Sequence, residues 1–119
     1  MKEFKLIVAG GRDFDDEEKL SKVLFSMAED TEDEISIVSG MAHGADRLGY
    51  DFAVEHHIKV YCFYADWKQF ERSAGFKRNE QMGNFADGLL AFHDGCSRGT
   101  LHMIDYMSKL GKPVTVVNY

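Results

Sequence analysis

The chain is short of several things that mark common protein classes. Its 119 residues contain two cysteines, Cys62 and Cys96, and one proline, Pro113. Two thiols do not build the disulfide framework of a small secreted domain. No apolar run reaches the roughly 18 residues that a membrane-crossing helix needs, so no membrane partner is expected. The opening Met1-Lys2-Glu3-Phe4 puts an acid where a secretory signal keeps a basic region, and a cytoplasmic location is the expectation. Positive charge is scarce as well: 14 Lys and Arg against 20 Asp and Glu leave a net charge of −6. That balance argues against the basic face that grips an extended nucleic acid. It leaves room for a small nucleotide, which backbone N–H groups hold without net positive charge.

Short apolar runs recur along the chain at residues 4–9, 35–38, 58–63, 89–92 and 114–117. Unalternated runs of this length suit strands covered on both faces of a parallel sheet. The intervals between them have helical spacing. Leu20, Val23, Leu24 and Met27 form one apolar stripe, with Asp15 and Glu18 placed as a capping box at its start. Ala45, Leu48, Gly49, Phe52 and Ala53 share one side of a second helix. Leu101, Ile104, Met107 and Ser108 share one side of the last helix, which should stop at Gly111 before Pro113. Residues 64–88 are irregular and read as a long loop followed by a short helix over 78–85. The order predicts a single α/β domain with a mostly parallel five-stranded sheet and helices on both faces. Such sheets bind ligands beyond the carboxyl ends of their strands, where the strand order reverses.

Most of the eleven glycines follow strands. After the first strand, Gly10-Gly11-Arg12-Asp13-Phe14 reads either as a structural turn or as an anion contact in which Arg12 reaches a phosphate. The second corner is Ser39-Gly40-Met41-Ala42-His43-Gly44-Ala45-Asp46, whose small residues bend tightly into a helix start. Ser39, Gly40, His43, Gly44 and Asp46 are its candidate contacts. Asp46 faces either a ligand or its own helix N–H groups, and His43 is a ligand contact or an exposed turn residue. After the fourth strand, Asp94, Gly95, Ser97, Arg98, Gly99 and Thr100 make a candidate phosphate cradle on a helix N-terminus. In the long interval, Trp67 stacks on a base or covers the sheet edge, while Arg78 and Asn79 open a helix aimed at the same region. Arg78 has a plain alternative as a paired surface cation. The corners should converge on one pocket. His93, Asp94 and Cys96 lack a second ligand pair at zinc spacing, and Cys96 lacks a partner base, so neither a metal site nor a resident cofactor is expected.

Taken together, these corners and the segment Arg78-Asn79-Glu80-Gln81-Met82 resemble the SLOG superfamily of nucleotide-binding proteins, which includes the DprA, YpsA and LOG families. The similarity is greatest to its small YspA-type members. The resemblance implies a Rossmann-like three-layer sandwich, a pocket for a nucleotide or nucleotide-derived ligand such as one of ADP-ribose type, and a homo-oligomer. LOG enzymes carry their catalytic arginine in an R-K-x-x-M segment, which Arg78 and Met82 match. Their glycine loop, P-G-G-x-G-T-x-x-E, is matched through Gly99 and Thr100, but Met103 stands where its glutamate would be. An enzyme built on this chain would have to work with Arg78 and Asp94. Ligand binding, as a sensor or a pathway accessory, is therefore the expected function. An N-glycosidic hydrolase of nucleoside monophosphates and a structural or partner-binding domain are the alternatives.

Overall fold

A computed structural model describes residues 2–119; Met1 of the opening segment lies outside the described residues. The elements run β1 (Glu3–Gly10), α1 (Glu17–Glu29), β2 (Glu34–Ser39), α2 (Ala45–Glu55), β3 (Val60–Cys62), α3 (Trp67–Phe70), a 3-10 turn (Glu71–Ser73), α4 (Ala74–Phe85), β4 (Gly88–His93), α5 (Arg98–Lys109) and β5 (Val114–Asn118). The five strands form one sheet in the order β3-β2-β1-β4-β5. All four pairings are parallel, a Rossmann-like arrangement.

Alternation along β1 explains the two cores. Leu6 and Val8 point to one face, where they meet Leu20 and Leu24 of α1 and Phe52 and Ala53 of α2. Ile7 and Ala9 point to the other face, against Met82 of α4 and Met103 and Met107 of α5. A strand segment buried on both faces has no polar side to show, which is why residues 6–9 read as a continuous apolar run.

Several sequence expectations shift by small amounts. Asp16, not Asp15, caps α1, its Oδ1 accepting the Lys19 N–H at 3.0 Å. The third strand is shorter than expected, because Ile58 still donates to the Ala53 carbonyl in the turn that leaves α2. The irregular interval contains two helical pieces before α4, which itself begins at Ala74 rather than at Arg78. The inward face of α5 is Thr100, Met103 and Met107, while Leu101 faces out. The C-terminal stop of α5 is as expected, with Gly111 at φ +73° and Pro113 beyond it.

Candidate functional site

The strand order reverses at β1: the chain moves outward through β2 and β3, then returns to place β4 on the other flank of β1. A crevice opens at the carboxyl ends of β1 and β4, as the geometry of such sheets requires. It holds about 470 Å³. One wall is the β1 corner, Gly10 to Asp13; the opposite wall is the start of α5, with Asp94, Ser97, Gly99 and Thr100. The roof comes from the irregular interval, with Trp67, Arg72, Gly75, Phe76, Arg78 and Asn79. Asp46 and Met103 line its deeper parts.

The second corner owes its shape to one close approach. Gly44 has φ +86°, and a Cβ there would strike the Gly11 carbonyl oxygen and the Arg12 backbone. That contact lets the Gly11 oxygen accept both the Phe14 N–H at 3.2 Å and the Ala45 N–H at 3.3 Å. The Ala45 N–H at the start of α2 is thus bonded within the protein. Ser39 is buried and structural, its Oγ donating to the Asp46 carbonyl at 2.8 Å and accepting the Met41 N–H at 3.1 Å. Ser39, Gly40 and Gly44 support the crevice without lining it, and His43 is exposed outside it.

Asp46 and Arg78 influence each other's charge at the deep end of the crevice. Asp46 is only 4% exposed. Burial raises its carboxyl to about 6, against the opposing pull of Arg78 and of the Ala42 and Gly10 backbone groups. Arg78 donates through Nη1 to the Gly40 carbonyl at 3.0 Å, and its Nε is buried without a partner. Burial disfavours the Arg78 charge, nearby Asp46 favours it, and nearby Arg12 disfavours it again. Arg12 and Arg72 are exposed on the rim.

The α5 wall is partly self-satisfied. Asp94 Oδ1 accepts the N–H groups of Cys96 and Ser97, both at 2.8 Å, and these bonds hold its carboxyl below the ordinary value. Ser97 caps α5 and exchanges a hydrogen bond with the Thr100 hydroxyl at 3.0 Å. Gly95, at φ +89°, only turns the loop, and Arg98 is exposed and lies off the crevice. Asn79 is buried and latches α4 to α5, donating to the Gly99 carbonyl at 3.1 Å beside His102 Nδ1 at 3.3 Å. Its amide therefore has a structural partner where a ligand contact was expected.

Sequence reasoning missed Arg72 as a cleft residue, since nothing in a three-residue 3-10 turn marks which way a side chain points. It also missed Tyr119, whose hydroxyl donates to Asp13 Oδ1 at 2.6 Å and whose ring packs edge-on to Phe14, bracing the first corner. The Asp13-Phe14 pair in the corner motif was the only available signal. Trp67 is 55% exposed at the rim, and Phe76 stacks on His102 at 4.2 Å.

A parallel α/β sheet with a polar crevice at its switch point defines a protein of the Rossmann-like, nucleotide-binding type in general terms. More narrowly, the sequence model of the family described as YAcAr, the YspA, cpYpsA-related SLOG family, matches residues 4–70, and the chain belongs to that family. No curated protein and no solved structure matches the chain. Among the described residues, no group of His, Cys, Asp and Glu is arranged to hold a metal ion, and no helix is long and apolar enough to cross a membrane.

Proposed function

We propose that the crevice binds a nucleotide or nucleotide-derived ligand, with its phosphate between the β1 corner and the start of α5. One observation carries the reading: Arg12, Arg72 and Arg78, from three separate segments, line one cleft facing a helix N-terminus. Arg12 is near enough to Arg78 to disfavour the Arg78 charge. Gathering like charges costs free energy that an anion offsets. The first-turn N–H group of Gly99, which lines the cleft, has no intrahelical acceptor and adds a donor for the same anion. Trp67 and Phe76 at the rim supply flat apolar faces for a base.

The protein then acts as a cytoplasmic sensor or pathway accessory rather than as a hydrolase. Met103, buried and lining the cleft, offers no carboxylate. Asp94, the best sequence candidate for that work, spends one oxygen on two backbone N–H groups and stays ionised at neutral pH. Asp105 is exposed off the cleft, and Glu80 faces His102 at 3.9 Å. Self-association belongs to the same proposal, since Phe25, Val54 and Val116 leave apolar surface outside the cleft for a second copy. Calorimetric and thermal-shift titrations with AMP, ADP, ATP, NAD and ADP-ribose test the central claim. Saturable binding of at least one is expected; folded protein that binds none of them refutes it. Sedimentation across a concentration series tests the oligomer, which strictly monomeric behaviour would retire.

A further inference from the structure

The deep end of the cleft holds a polar pair that an anion does not explain. A Cβ placed on Gly40 would stand 2.8 Å from Asp46 Oδ2 and 3.0 Å from Arg78 Nε, so one small residue is all that separates a buried acceptor from a buried donor. Asp46 belongs to the first turn of α2 and Arg78 to α4; the two helices cover opposite faces of the sheet and meet only at this crevice. Arg78 is anchored at its Nη1 by the Gly40 carbonyl, which aims the guanidinium and leaves Nε–H without an acceptor. A buried donor in that condition calls for an explanation, and a ligand acceptor is one.

The chemistry of the pair selects its occupant. A carboxylate repels phosphate, so Asp46 cannot serve the anion end of the ligand. Its carboxylate can accept a further donor beyond its backbone N–H partners, while the Nε–H beside it needs an acceptor. Hydroxyl groups do both, each with one O–H and two lone pairs. With phosphate at the α5 wall and the base on the aromatic rim, the sugar falls between them, over Asp46 and Arg78. We infer that Asp46 and Arg78 form a sugar subsite in which the carboxylate accepts from the vicinal hydroxyls of a ribose and Arg78 Nε–H donates to a sugar oxygen. Arg78 thereby serves sugar and phosphate together, whereas Asp46 serves the sugar alone. The buried setting sharpens discrimination: a ligand without the hydroxyl leaves a nearly dry carboxylate one donor short, a loss that a solvated group makes up from water. The raised carboxyl of Asp46 agrees with this: burial outweighs the Arg78 charge and the backbone donors of Ala42 and Gly10, so a further donor would favour the ionised form.

The inference rests on the nucleotide reading of the same cleft, and the experiment separates the two. The full chain is titrated calorimetrically at neutral pH with ADP, 2′-deoxy-ADP, ribose 5-phosphate, 2-deoxyribose 5-phosphate and inorganic pyrophosphate, and the series is repeated with Asp46→Asn. Wild-type protein should prefer each ribose compound over its deoxy counterpart by about ten-fold or more. In Asp46→Asn the preference should shrink to within about two-fold, while pyrophosphate binds no more weakly than before. ADP and 2′-deoxy-ADP binding wild-type protein equally would overturn the sugar subsite and leave the nucleotide reading standing. So would a variant that keeps the full ribose preference. No binding of any of these compounds, by folded protein that also binds none of AMP, ATP, NAD and ADP-ribose, would overturn both readings.

Discussion

Replacing Asp46 by Asn should make the protein more stable while it impairs the site. In the unfolded chain this carboxyl ionises at its ordinary value of 3.8, and in the folded protein only near 6. Between those values the native state holds a proton that the unfolded state has released. Stability from this group is therefore fully present below about pH 4, falls as the pH rises towards 6, and stays at its lower level above that. The difference amounts to roughly 3 kcal/mol at about pH 8, taking about 1.4 kcal/mol per pKa unit. Asn keeps the shape and an acceptor for the neighbouring backbone N–H groups but carries no charge to desolvate. Arg78 loses its counter-charge in exchange, which takes back part of the gain. The net expectation at about pH 8 is a stabilisation of about 1–3 kcal/mol, or a rise of several degrees in Tm for a domain this size. Urea unfolding of both proteins at about pH 8 and about pH 4 checks it, because titrations elsewhere in the chain cancel in the difference. A gain that is large at the higher pH and mostly gone at the lower is expected. A variant less stable than wild type at both, or a difference that ignores pH, would refute the argument that burial of this carboxylate is a standing cost.

Arg72→Ala should weaken ADP or pyrophosphate by roughly 1.5–3 kcal/mol with little change in Tm, whereas Arg98→Ala should leave affinity within about two-fold; calorimetry on the pair separates a cleft arginine from an outward one. Gly44→Ala should cost about 3 kcal/mol or more, because the left-handed backbone and the collision with the Gly11 carbonyl act together; chemical denaturation reads this directly. Incubation with AMP, GMP or CMP should release no free base above a buffer blank on chromatography. Release that disappears in Asp94→Asn would reverse the binder reading and make Asp94 the working carboxylate beside Arg78.

What the linear sequence determined was the part that local periodicity controls. Residues 6–9 had to be a strand buried on both faces, because nothing polar interrupts them, and Leu6 and Ile7 duly enter opposite cores. Glycine after the first, second and fourth strands marked the corners, since only a residue without Cβ lets the second corner close over Gly11. The crevice and its general ligand class were legible from that much. Tertiary structure alone decided which side chains face it. Arg98 and Gly99 are adjacent in sequence, yet one is turned to solvent and the other lines the cleft, since successive helical residues differ by about 100° and docking through Met103 and Met107 sets the phase. Asn79 is tied to the Gly99 carbonyl, and Tyr119 braces Asp13 from the far end of the chain. The pairing of Asp46 with Arg78 lay furthest from view. Thirty-two positions separate them, and only the strand order β3-β2-β1-β4-β5 brings the helices that bear them to one crevice, where burial gives a carboxylate and a guanidinium their chemistry.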